Sequence, residues 1–377
     1  MPTPGPSSAP AVRLSSPVDI AAALPHLLGF VPQASLVVLG LGAEGTVRVT
    51  GRADLTSDVS DTDAQFARMC RHSSARRAVL VTVVDAPVVP GGPLPATGRA
   101  LAAARRLADG GAPVLVGLCL HGGRVWVYDA PPLLPGLPGW PVDGQAVPPA
   151  DRSPLALARV VRGQPLHADR AALIDTLAPA PAGLRGQVAA LTDSSGSAGP
   201  GGLPWLPPGA PVSDDARARV LRTWARARRS SRVGVLPGAP VTACLLRALA
   251  DTRTRDLILL TTSRSQVPES LLLAVHLLRC AGPGLIAPAG ALTGWFAYLD
   301  GQGTLAGAAV SRALRDDPQA PLATLLGQAL EQALPPILLE EAAQQAAAAV
   351  GARIDPAGPL APWRRALVEG RDLPPRA

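Results

Sequence analysis

"LVVLGLGAEGTVRV", from Leu36 to Val49, decides the fold of the first part of this 377-residue chain. Gly40, Gly42 and Gly45 spell G-x-G-x-x-G directly after an apolar run of strand character. In a dinucleotide cradle such glycines open a helix, because the pyrophosphate rests on the helix N-terminus. Here Thr46, Val47, Val49 and Thr50 follow, and β-branched residues favour an extended chain. The stretch therefore predicts a β-hairpin whose glycines supply positive backbone dihedrals. No cofactor is expected from it.

Outward from this hairpin, the order of elements is α-β-β-α-β-α-β-β. "SSPVDIAAALPHLLGF" is a helix with Ser16 as cap, Pro17 in the first turn and Asp19 completing a capping box. Pro25 is expected to kink it or end it early. "DTDAQFARMCRHSSA" has helical spacing, and "RAVLVTVVD" is a continuous run suited to a strand buried on both faces. "TGRALAAARRLADGG" is a second crossover helix, and "APVLVGLCLHGGRVWVYDA" gives two strands around a Gly-Gly turn. Right-handed crossovers would make the second, third and fourth strands parallel, with the first and fifth running the other way. The fold class is α/β (α+β): a mixed five-stranded sheet flanked by helices, then an α-helical C-terminal domain.

The expected boundaries are a disordered tail over 1–12, the sheet domain over 13–150 and a helical extension over 151–182. A Gly/Pro/Ser-rich linker follows over 183–212, then the helical domain over 213–350 and a C-terminal tail over 351–377, frayed at "LPPRA". Residues 130–150 are proline-rich and predict a stiff loop. "APVTACLLRALADTRTRDLILLTT" has the pattern of one long helix.

Apolar residues make up 47% of the chain, with only 3% aromatic, and all 35 basic residues are arginine. With abundant Ala, Gly and Pro this resembles GC-rich codon bias, so the net charge of +7 is weak evidence for nucleic acid. The N-terminus lacks the pattern of a secretory signal. The charge-free run from Cys280 to Leu299 approaches the roughly 20 residues that span a bilayer core. Pro283 and Pro288 break it, which predicts two helices joined by a loop and a cytoplasmic protein with no membrane partner. The four cysteines are scattered, as expected of free thiols; Cys70/His72 and Cys119/His121 are poorly placed to share zinc, because i and i+2 diverge on a helix.

The N-terminal stretch is similar to an uncharacterised bacterial family of actinobacterial type, domain of unknown function 4192. The resemblance rests on Pro25, Leu28-Gly29-Phe30, Pro32, Ser35-Leu36-Val37-Val38, and Arg52 with Asp54. It continues through "RVVRGQPLHADRAALIDTLAP", Arg255-Asp256 and "LTGWFAYLDGQGTLAGAAVSRALRDDPQAPLATLLGQAL". Where the family carries Gly-Asp-Gly-Ala, this chain has Asp300-Gly301-Gln302-Gly303. The resemblance implies a fold and no mechanism.

Two regions are candidate sites. Sites in open α/β sheets favour the carboxyl ends of parallel strands. Arg52 and Asp54, Asp85 and His121 end the second, third and fourth strands, and two carboxylates with an imidazole can hold a divalent metal or act as acid and base. Arg52 and Asp54 also share a strand face and suit a simple ion pair. Arg255 and Asp256, adjacent on a helix, are expected to pair with neighbouring helices, and His26 to pack or face a pocket. The second region is "DDARARVLRTWARARRSSR", where Arg217, Arg219, Arg222, Arg226, Arg228, Arg229 and Arg232 crowd a helix with an apolar stripe at Val220, Leu221 and Trp224. Arg219, Arg222, Arg226 and Arg229 are its candidate contacts to a partner or nucleic acid.

No catalytic motif stands out, so the leading expectation is a non-catalytic protein- or ligand-binding scaffold. The alternatives are a metal-dependent phosphoester or amide hydrolase at the sheet edge and a nucleic-acid-associated protein. Nucleic acid is the less favoured partner, behind a protein or small ligand.

Overall fold

The structure is a computed structural model and describes residues 14–161, 163–194, 202–203, 205–206 and 212–369. The expected N-terminal tail, most of the linker's Gly/Pro/Ser-rich core and the frayed end lie outside the described residues. The chain divides into two compact units, residues 1–173 with 331–335, and 174–330 with 336–377.

The first unit carries α1 (Pro17–Leu28), β1 (Ser35–Leu41), β2 (Val47–Asp54), α2 (Val59–His72), β3 (Arg77–Val83), α3 (Thr97–Asp109), β4 (Val114–His121) and β5 (Arg124–Val127). This is the order expected from sequence. A sixth strand, β6 (Gln145–Ala146), adds to the sheet from the stretch read as loop. The strand order is β2-β1-β3-β4-β5-β6. β1 is antiparallel to both β2 and β3, and β3 is parallel to β4. β2, β3 and β4 therefore run in one direction, with β1 inserted between β2 and β3. Helices α4 (Pro154–Val161) and α5 (Arg170–Asp175) follow.

Alternation along the strands builds two cores. Leu36, Val38, Ala78 and Leu80 face Phe66, Met69 and Cys70 of α2 and Ala100, Ala104 and Leu107 of α3. Val37, Leu39, Val79 and Val81 face Ala21 and Leu24 of α1. Burial on both faces explains the unbroken apolar runs Leu36–Leu39 in β1 and Ala78–Val81 in β3.

The glycine stretch doubles back as predicted: the Gly42 N–H donates to Thr46 O at 2.9 Å, and Gly45 has φ +76. Only Gly45 of the three has a positive φ. Gly40 lies within β1 at a bulge, where a Cβ would stand 2.8 Å from Val49 Cγ1 and 3.3 Å from Cys70 Sγ. Its role is close approach, which corrects the reading of all three as turn residues. Pro25 does not end α1 early: the helix runs through it to Leu28 and ends at Gly29 in the left-handed region. Ser16 and Asp19 form the capping box, and Leu24 and Ala21 anchor the helix in the core. That burial offsets the hydrogen bond the proline removes.

The second unit is helical: α6 (Ala182–Thr192), α7 (Asp214–Ser231), α8 (Ala239–Ala250), α9 (Thr252–Leu260), α10 (Val267–Cys280), α11 (Ile286–Leu299), α12 (Gly303–Asp316), α13 (Pro321–Glu331), α14 (Pro336–Ala352) and α15 (Ala361–Glu369). The segment expected to be one helix splits at Asp251. Its carboxylate accepts from the Thr254 N–H at 2.9 Å and caps α9, a local bond that outcompetes continued helix.

Of the charge-free run only Cys280 lies in α10; residues 281–285 form a loop and Ile286–Leu299 form α11. The run therefore holds one helix rather than two, with Pro288 in its first turn, and no helix among the described residues is long and apolar enough to cross a membrane. α11 is buried almost all round. Gly290 and Gly294 bring it against α12: a Cβ at Gly294 would stand 2.7 Å from Val310 Cγ2, and one at Gly290 2.9 Å from Ala309 O. The Asp300–Gly303 turn closes α11. Gly301 has φ +79 and donates to Tyr298 O, while the Gln302 N–H donates to Ala297 O, the two bonds of a glycine C-cap.

Candidate functional site

The common direction of β2, β3 and β4 brings their carboxyl ends to one edge. Ser35 of β1 pairs with Asp54 on one side and Val83 on the other, and Val83 pairs with Leu120. With β1 between them, Asp54 is two strand spacings from β3, about 10 Å. Arg52 donates to Ser35 Oγ at 2.8 Å and to Gln33 O, and pairs with Asp54 at 2.6 Å. Asp85 is exposed just beyond β3. His121 Nδ1 donates to Val84 O at 3.0 Å. The edge is shared, but among the described residues no three His, Cys, Asp or Glu side chains converge into a group able to hold a metal ion.

The remaining chemistry-bearing groups are committed to packing. All four thiols are buried. Burial pushes Cys70 up to about 11 and Cys244 to about 12, and raises Cys119 and Cys280, so none is a ready nucleophile. Tyr128 hydrogen-bonds Thr82 at 2.7 Å and donates to Pro95 O, which ties the loop after β3 to the sheet. In the helical unit His276 Nε2 meets Thr242 Oγ1 at 3.1 Å. Burial first, then the Arg279 charge, holds this imidazole below its ordinary range, against a bond to Pro237. His26 is buried, with Nε2 2.6 Å from Ala150 O. Among the described residues Arg255 pairs with Asp256 itself at 2.9 Å rather than with neighbouring helices, which the flexible arginine side chain permits even between adjacent positions.

Helix α7 sorts its arginines by face. Arg217 and Arg228 are buried: the first holds Asp251 and Asp214 at 3.0 Å each, the second Glu269 at 3.0 Å. Arg219, Arg222, Arg226 and Arg229 recur at three- and four-residue spacing, share one face and are exposed. Arg219 donates to Gly202 O, and the Arg222 guanidinium lies over the Trp363 ring at 6.0 Å. Among the described residues, Arg226 and Arg229 have no carboxylate partner. Beyond the helix end, Val233, Val235 and Leu236 are 76%, 59% and 45% exposed. Sequence reading missed this apolar tip and the buried clamp Arg247, which lies over Trp205 at 4.5 Å and donates to Leu206 O.

The model of the family described as a domain of unknown function (DUF4192) matches residues 17–337. The chain belongs to this DUF4192 family. No curated protein and no solved structure matches it significantly. Several of the residues that carry the DUF4192 likeness are joints of the first unit. Phe30 is fully buried, and its neighbours Gly29 and Val31 exchange backbone hydrogen bonds with His167. Arg159 donates to His26 O at the end of α1 and to Pro165 O. Arg52 ties β2 to the entry of β1.

Proposed function

We propose that this DUF4192 protein is a non-catalytic binding protein whose helical unit engages an acidic protein partner through the exposed face of α7. One observation carries the reading: Arg226 and Arg229, without a carboxylate partner among the described residues, are followed by an exposed apolar tip at Val233, Val235 and Leu236. Protein interfaces combine apolar anchors with arginines that meet carboxylates on the partner. A phosphate backbone gains little from two valines and a leucine, which favours protein over nucleic acid. The sheet edge supports the reading from the other side, since Arg52 neutralises Asp54 and Val84 engages His121.

The test is fluorescence anisotropy of the full chain with three classes of probe: a labelled Glu-rich peptide bearing leucines, labelled oligonucleotides (one duplex, one single-stranded), and labelled vesicles of anionic lipid. The peptide is expected to bind with an affinity that falls as salt rises. An Arg226→Glu/Arg229→Glu double variant should lose at least about tenfold in affinity with its thermal stability unchanged. Tight oligonucleotide or vesicle binding with none to the peptide would replace this reading.

A further inference from the structure

A second feature of the helical unit points to a small ligand. Residues 174–179, the start of α11 and one face of α12 enclose an open basin of about 550 Å³. This falls in the range of roughly 300–1,000 Å³ typical of small-molecule pockets. Its wall is mainly apolar, with Ile174, Leu177, Pro179, Ile286 and Ala308, and Arg312 and Arg315 lie one helical turn apart beside it.

The charges of the basin are unbalanced where it matters. Asp316 also lines it, but its two carboxylate oxygens accept from the Gly284 N–H at 3.1 Å and the Ala287 N–H at 2.9 Å. That carboxylate is therefore spent on the N-terminus of α11. Asp175, the other acid of the wall, is exposed. Among the described residues neither Arg312 nor Arg315 forms an ion pair. Arg312 donates to Leu177 O and keeps other donors in reserve. Burial, then the neighbouring charges of Arg315 and Arg185, disfavour the charged form of its guanidinium, and the Asp316 charge opposes them only in part. Crowded like charges that one shared carboxylate offsets only in part are costly, and a bound anion reduces that cost.

We infer that this basin is a binding site for a small organic anion, a carboxylate or phosphate monoester whose head meets Arg312 and Arg315 and whose apolar body lies against Leu177, Pro179, Ile286 and Ala308. The two guanidiniums supply charge-assisted, bidentate recognition of a planar or tetrahedral oxyanion. The apolar wall selects for a hydrocarbon body and against inorganic phosphate. This site is separate from the α7 face and stands or falls without it.

The test uses the full chain, isothermal titration and thermal shift, with phenyl phosphate, benzoate, inorganic phosphate and benzylamine as probes. Phenyl phosphate or benzoate should bind and raise the melting temperature, inorganic phosphate should bind more weakly, and benzylamine should not bind. Arg315 is exposed, so Arg315→Ala should fold as the wild type does and lose about tenfold or more in affinity. Ala308→Phe fills the basin with both arginines in place and should also lose binding. Arg226→Glu/Arg229→Glu should bind these probes unchanged, which separates a failure here from a failure of the α7 reading. The inference is overturned if neither anionic aromatic binds at millimolar concentration, if benzylamine binds as well as benzoate, or if Arg315→Ala and Ala308→Phe both bind as the wild type does.

Discussion

Asp63 and Arg99 show how a single residue position can decide stability in this chain. They join α2 to α3 through two bonds of 2.7 and 2.9 Å, with side chains only 4% and 9% exposed. Removing one partner strands a buried charge, so Asp63→Ala is expected to cost about 3–5 kcal/mol, measured by urea denaturation. Asp63→Leu/Arg99→Met should recover much of that loss, and a double variant as unstable as the single one would refute the assignment. His276 makes a pH prediction. Unfolded, its imidazole takes a proton near 6.5; folded, burial holds its pKa lower. The contribution is therefore complete above about 6.5 and is lost as pH falls below it. His167 shifts the same way through burial and then the Arg159 charge, so it adds to the trend. Urea midpoints should drop between about pH 8 and pH 5.5, and His276→Gln should flatten that drop. Such residue roles were the least legible part of the sequence. In a chain whose basic residues are all arginine, buried clamps such as Arg217, Arg228 and Arg247 look the same as solvated ones. Only their partners, remote in sequence, tell them apart.

At the scale of elements, local chemistry was largely readable. The hairpin at Gly40–Gly45, the capping box of α1 and the loop that interrupts the charge-free run before α11 all follow from side-chain type and spacing. What failed was competition between local and tertiary forces: core contacts carry α1 through Pro25, and the Asp251 side chain ends α8 where the apolar pattern continues. The position of β1 between β2 and β3 was also hidden, because strand direction follows from connections but adjacency depends on packing. The α11–α12 contact gives the sharpest expectation. Gly294→Val would press methyl groups into Val310 and should cost about 3 kcal/mol or more, read as a fall in melting temperature. At Gly301 the cost has another origin: Gly301→Ala forces a side chain into a φ of +79 and should cost about 1 kcal/mol by denaturation. A melting temperature unchanged in either variant would contradict the packing described.

For the whole molecule, the candidate site shows the same limits. The four arginines on the exposed face of α7 were visible from helical spacing alone, because one element supplies them. The basin was not, since its wall comes from residues 174–179, 286 and 308–316. The sheet edge lies between these cases: direction gathered Asp54, Asp85 and His121 on one side, while lateral distance depended on β1.

The discontinuity of the first unit reaches further than its size suggests. Residues 331–335 belong to the sheet unit, where Ala333 packs on the core and His72 Nδ1 donates to Gln332 O at 3.0 Å. The DUF4192 match ends just after them, at residue 337. A fragment of residues 14–173 should unfold at lower denaturant than the same sheet in the full chain, and adding a peptide of residues 329–337 should restore part of the difference. During synthesis the sheet can form early, but it lacks its last piece until the ribosome has almost finished the helices. Shuffling or fusing modules at a cut near residue 173 would therefore separate the sheet from a part of itself, and inheritance of the two halves as one block follows from the path of the chain.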